Sequence, residues 1–130
     1  MRRERSDRGE VAVVLMMLVL ITLLGAALVV DGGRAMSARR HASNVAEAAA
    51  RAAVSTATPV DPLDPVDARR AALAYTARAG IPATDVSVVV RADRVRVTVV
   101  ERRSAVFLAL SGQSQLTVRA SGEARLVFSG

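Results

Sequence analysis

Residues 11–30 read VAVVLMMLVLITLLGAALVV and run straight into Asp31-Gly32-Gly33-Arg34. Twenty residues pass without a charge, and only Thr22 and Gly25 fall outside the apolar set. As an α-helix, at about 1.5 Å per residue, the stretch measures roughly 30 Å, the thickness of a bilayer's hydrocarbon core. A core helix of a water-soluble protein keeps a polar face, and this one has none. The competing reading is a cleaved secretory signal. Its apolar run is ordinarily shorter, and no clean small-x-small cleavage site precedes Asp31. The stretch predicts one membrane anchor.

Charge leaves the orientation open. Arg2, Arg3, Arg5, Arg8 and the terminal amine flank one end, against Arg34, Arg39 and Arg40 on the other. By the positive-inside rule this favours a cytoplasmic N-terminus only slightly.

The rest of the composition works mainly by exclusion. The chain has 130 residues, about one domain's worth, with 52% hydrophobic residues and a net charge of +6. All 18 basic residues are Arg, Cys is absent, His41 is the one histidine, and Tyr75, Phe107 and Phe128 are the aromatics. Without Lys there is no Walker A loop, Schiff-base enzyme or kinase site. Without Cys there is no disulfide framework, zinc finger or thiol nucleophile. One His cannot build a three-histidine metal site. No GxSxG, GxGxxG or HExxH occurs, and no residue is nominated as a catalytic base. No catalytic residue, cofactor, metal or small-molecule substrate is expected.

Beyond Gly33 the period is helical. Ala35, Ala38, Ala42, Ala46, Ala49, Ala53 and Ala57 recur every three or four residues, Val45 and Ala50 widen the stripe, and Glu47 and Arg51 stand at i,i+4. Such a face suits close approach of a helix or a sheet, either within the domain or from another copy of the chain. In the second case, Leu at Ala46 or Ala49 weakens assembly more than folding. Gly32-Gly33 either ends the membrane helix, bends it, or lies within one rod of some 45 residues.

Thr58 to Pro65 (TPVDPLDP) holds three Pro and breaks the chain. Asp64 is placed to cap a second helix, with Pro65 in its first turn and Gly80 and Pro82 at its end. Asp61, Asp64 and Asp67 lack the alternate spacing and glycine of a calcium loop, so turn and cap roles are expected.

From Asp85 onward the period falls to two. Pairing Arg91 with Arg94 across Ala92-Asp93 puts Val90–Val95, Val88–Val97 and Val86–Val99 on one face of a hairpin. Ala-Asp is a poor two-residue turn, so the loop type is open. SAVFLAL (residues 104–110) is a short helix or a strand ended by Ser111-Gly112. Leu116, Val118 and Ala120 alternate again, and Ser121-Gly122 is a turn or a bulge before Leu126 and Phe128. Arg91, Arg94, Arg96, Arg102 and Arg103 make the second strand basic, but no aromatic platform lies among them, and nucleic acid is not expected.

Asp7-Arg8-Gly9, the apolar span, Leu28-Val29-Val30-Asp31-Gly32-Gly33-Arg34, Ala38-Arg39-Arg40 and Asn44-Val45-Ala46-Glu47-Ala48-Ala49-Ala50 together resemble the N-terminal region of TadE/TadG-like proteins of the tight-adherence (Flp) pilus machinery. The resemblance covers roughly residues 7–57. It implies a cell-membrane protein with its N-terminus in the cytoplasm and its C-terminal domain outside, acting as a minor pilin-like subunit or an assembly factor. Its partners would be the lipid bilayer and other pilus-assembly or pilin-like membrane proteins. Some relatives are cut after a glycine, which here would be Gly9 before Glu10. A pilin's glutamate five residues past the cut is replaced by Val14, which favours an uncut anchor.

The expected fold is α+β. A cytoplasmic tail (residues 1–10) precedes a transmembrane helix (11–30) and an extracytoplasmic Ala-rich helix (31–57). A small pilin-like domain (58–130) follows, with one or two helices on a three- to four-stranded antiparallel sheet. The alternatives in function are an envelope binding module that uses the anchor as a tether, and a tethered nucleic-acid-binding protein.

Overall fold

The computed structural model describes residues 3–110 and 112–127, with side chains in the first helix from Gly9 onward. Ser111 and Phe128, and the side chains of Arg2, Arg3, Arg5 and Arg8, lie outside the described residues. Helix α1 (Arg3–Val54) is one unbroken helix of 52 residues, about 78 Å long. Gly32-Gly33 does not end it, and the helix stops three residues short of Ala57. Helix α2 (Pro65–Arg78), a 3₁₀ turn (Ala83–Asp85), strands β1 (Val86–Val90) and β2 (Arg94–Ser104), the short helix α3 (Phe107–Leu110) and strand β3 (Gln115–Arg125) follow. The fold is α+β, with a long apolar helix leading into a small helix-on-sheet domain.

The break between α1 and α2 has the chemistry its sequence suggests. Asp64 sits in an extended conformation and its Oδ1 accepts the Val66 N–H at 2.9 Å, with Pro65 opening the helix. Thr58 and Asp61 close a turn through each other's backbone, and Asp67 pairs with Arg70 at 2.8 Å. Gly80, at φ +82°, supplies the left-handed residue that lets the chain leave α2.

The sheet is an antiparallel meander in the order β1-β2-β3. Its first hairpin has the register read from the sequence, with Val86 opposite Val99, Val88 opposite Val97 and Val90 opposite Val95. The Arg91 N–H donates to the Arg94 carbonyl at 2.8 Å. No described non-glycine residue has positive φ, so Ala92-Asp93 is not one of the mirror-image hairpin turns. Ser121-Gly122 is neither a turn nor a bulge. Strand β3 runs through it in continuous register, with Gly122 opposite Val97.

The reason for that glycine is α1. A Cβ on Gly122 would lie 2.5 Å from both the Ala46 carbonyl carbon and the Glu47 Cα, with the Glu47 nitrogen closer still. Strand backbone here lies directly on helix backbone. Ala120, Gly122 and Ala124 pair with Val99, Val97 and Val95, so the β3 row on that face is uniformly small. Opposite it, Ala42, Ala46, Ala49, Ala50 and Ala53 of α1 are fully buried, as are Val95, Val97 and Val99 of β2. Ala68 and Ala72 of α2 complete this core. Each fully buried valine contributes about 1.5–3 kcal/mol, whereas the alanines serve mainly to bring backbones together.

The Ala stripe is therefore filled by the chain's own sheet and second helix. Packing of that face against another copy is corrected accordingly. From Ala42 to Ala53 it has no free surface, and Ala35 below and Ala57 beyond the helix end are part-exposed. Leu at Ala46 or Ala49 consequently becomes a folding lesion. Gly122→Ala is expected to destabilise the domain by about 3 kcal/mol, the upper end for an overpacked core, because the clash is with backbone. Gly112→Ala, at an exposed turn, should cost about 1 kcal/mol. Denaturant unfolding of the detergent-solubilised full chain checks this, and a Gly122→Ala protein as stable as the parent would contradict the packing described.

Candidate functional site

Residues 9–30 of α1 touch almost nothing in the chain. All of them are exposed except Ala27, which is half-covered. One turn further on comes Asp31, only 7% exposed. A carboxylate taken out of water at the edge of an apolar helix must find donors, and Asp31 finds three. Its Oδ1 accepts the Val106 N–H at 2.7 Å, and its Oδ2 accepts those of Phe107 and Leu108 at 2.5 and 3.3 Å. These are N–H groups of the first turn of α3, which have no partners within that helix. Asp31 thus caps a helix that lies 75 residues away in sequence, and its negative charge suits the positive end of the peptide dipoles.

Arg34 adds a second tie, donating from Nη1 to the Ser104 carbonyl at 3.3 Å. Gly32 and Gly33, between the two, are exposed, and a Cβ on either would meet nothing within 4 Å. The Asp-Gly-Gly-Arg junction is thus brought into contact with the turn joining β2 and β3 through its two charged ends. That turn is closed by the Ala105 N–H on the Ser114 carbonyl and the Gln113 N–H on the Leu108 carbonyl, with Gly112 at φ +88° leaving α3. We call the assembly of Asp31, Arg34 and residues 104–108 the clasp.

The sequence marks Asp31 as the first charge after the apolar span, but carries no sign of its partners, because backbone N–H groups leave no residue signature. Gly122 escaped in the same way. Its cause is a helix 75 residues upstream, and locally it looks like any strand glycine.

The remaining candidates fall elsewhere. Gly9 and Glu10 lie within α1, and both are exposed. His41 is exposed on α1 beside Glu101, Arg102 and Arg103, at the rim of a cleft of about 390 Å³. The basic strand is largely matched by acids. Arg94 grips Asp93 through two bonds of 3.0 Å and also reaches Glu123, while Arg96 binds Glu123 at 2.7 Å. Arg102 pairs with Asp85 at 2.6 Å, and Arg103 with Glu101. The Arg96 guanidinium, helped by Arg94 and Arg125, holds the Glu123 carboxyl below its ordinary range. Among the described residues no cluster of three or more His, Asp or Glu could hold a metal ion.

The Val106 N–H, then those of Phe107 and Leu108, hold the Asp31 carboxyl below its ordinary value of 3.8 against the opposing effect of burial, with Arg34 adding to the pull. A depressed folded-state pKa means the contribution is fully present above the unfolded pKa, near 4, and is lost as pH falls through the folded one. The clasp should hold from neutral pH down to about pH 4 and open below it. Amide hydrogen exchange at Val106, Phe107 and Leu108 reports this. Asp31→Asn should speed exchange there roughly tenfold or more at pH 7, since a neutral amide cannot accept all three bonds. Unchanged exchange at those three amides would refute the clasp.

Compared with known protein families, residues 9–57 match the one described as "Putative Flp pilus-assembly TadE/G-like". Comparison with curated proteins and with solved structures found no match. The matched segment holds the apolar span, the Asp-Gly-Gly-Arg junction and the Ala-faced half of α1, while the sheet lies outside it. The match covers residues 9–57, under half of the chain, and shows a likeness to a TadE/G-like Flp pilus-assembly family over that segment.

Proposed function

We propose that this protein is a single-pass component of a Flp-type pilus assembly system, with its N-terminus in the cytoplasm, its domain outside, and an uncut anchor. It works by contact. The observation that carries the proposal is the continuity of α1, whose lower half is bare and apolar and whose upper half is the core helix of the domain. In a soluble chain, an exposed apolar surface of this size would be an aggregation hazard, whereas in a bilayer it is solvated. The clasp stiffens the one place where such a rod has two adjacent helix-weakening glycines, each costing about 1 kcal/mol relative to Ala. An anchor and domain joined in this way can pass a displacement between the membrane and a partner above it.

Gly9 and Glu10 continue the same helix as the span, which favours keeping the anchor whole. The nucleic-acid alternative is weakened because Arg94, Arg96, Arg102 and Arg103 already have acidic partners in the fold. The tethered envelope binding module remains the second reading, supported by the small cleft beside His41.

Two measurements separate these. The chain has no Cys, so Val60→Cys, in the connection between α1 and α2 and 95% exposed, is a unique label site. A membrane-impermeant maleimide should label it in intact cells. Labelling only after lysis would reverse the orientation. Deleting the chain should abolish Flp-type pili, and the full chain should co-purify with other pilus membrane proteins. Normal piliation without it would favour the tethered module.

A further inference from the structure

The β2–β3 hairpin runs down α1 toward the apolar span. Gly122, paired with Val97, lies on Ala46 and Glu47, whereas Ser104 is reached by Arg34. The thirteen helical residues from Glu47 to Arg34 rise about 20 Å, and the seven strand residues from Val97 to Ser104 about 23 Å, so strand and helix descend together. The hairpin's end therefore arrives at the last turn of the span, where the clasp fixes it. Ala27, one turn below Asp31, is the only residue of 9–30 with partial cover, and α3 is in contact with α1.

What the hairpin brings to that depth is apolar. Residues 106–110 read VFLAL, with Val106 45% and Leu110 75% exposed. Leu110 is largely uncovered and Val106 nearly half exposed, at the tip of a hairpin that buries the large apolar side chains Val95, Val97 and Val99. Arg34 lies at the same level, bonded to the Ser104 carbonyl, while Arg103 and Arg102, three and four residues before Val106, are paired with Glu101 and Asp85. An apolar tip level with the end of a membrane-length span stands at the depth of a bilayer's interface.

We propose that residues 106–110 form a second membrane contact, a hydrophobic foot seated in the outer headgroup and acyl boundary beside the span, with Val106 and Leu110 as its inserted side chains. The occupant of this surface is lipid. The foot rests on the membrane-span reading of residues 11–30, because its depth is set by Asp31 at the end of that span. It gives the clasp a purpose, since Asp31 would then hold a lipid-seated element against the anchor and fix the tilt of the domain on the membrane.

The absence of Cys makes the test direct. Leu110→Cys, Met17→Cys and Val60→Cys, each in the full chain, are labelled with an environment-sensitive fluorophore and reconstituted in vesicles of phosphatidylethanolamine and phosphatidylglycerol. Lipids carrying a spin-label quencher near the headgroup or at mid-chain, and aqueous iodide, report depth. The Leu110 label should be quenched severalfold more by the shallow lipid quencher than the Val60 label, and be shielded from iodide. The Met17 label should be quenched by the mid-chain lipid. If the Leu110 label behaves like Val60 while Met17 is lipid-quenched, the foot is refuted and the span stands. If Met17 is also untouched by lipid, the span itself fails and the foot with it. Shielding of Leu110 that disappears on diluting protein at fixed lipid would assign the surface to a second copy and overturn the proposal.

Discussion

The domain depends on how closely β3 crosses α1. At Gly122 the strand leaves no room for a single carbon against the backbone of Ala46 and Glu47. Both sides must be stripped of side chain for this contact, and both are, with Ala42, Ala46, Ala49 and Ala53 on the helix and Ala120, Gly122 and Ala124 on the strand. Burying alanine contributes little hydrophobic free energy, and the valines Val95, Val97 and Val99 supply most of it. The small residues give something else, a single allowed distance and register between helix and sheet. For the proposed role of α1 as a membrane anchor this matters, since its position in the domain cannot slide.

That constraint sets up the junction. With β2 and β3 fixed on the upper half of α1, the hairpin has one place to end, beside Asp31. There the chain meets its first charge after twenty uncharged residues, next to apolar surface. Asp31 accepts backbone donors from the hairpin tip, so that a charge costly to leave unpaired becomes the bond between anchor and domain. Gly32 and Gly33 have no steric reason in the isolated chain, and the clasp spans them.

Local patterns were legible in the sequence and non-local contacts were not. The 20-residue apolar run, the Asp64-Pro65 cap and the valine register of β1 and β2 each depend on neighbouring residues and their period, and each has the structure its pattern predicts. The Ala stripe does not distinguish the chain's own elements from another copy, because an alanine face describes how close something comes but not what comes. Gly122 reads locally as a turn or a bulge, since strand glycines usually mark one. Asp31 stood out by its position, while its three donors are backbone groups that any residue carries. The family likeness covers the anchor and the Ala-faced helix, and the sheet that completes the core lies beyond it.

The central claim is that anchor and domain are one rigid body, joined by an unbroken helix and held at Asp31. Spin labels at Met17→Cys in the span and Val89→Cys on the outer face of the sheet, measured by pulsed dipolar spectroscopy in lipid nanodiscs, test it most directly. The account predicts a single narrow distance distribution that broadens when Asp31 is replaced by Ala. A broad distribution in the unmodified protein, showing the domain swinging about Gly32-Gly33, would contradict it.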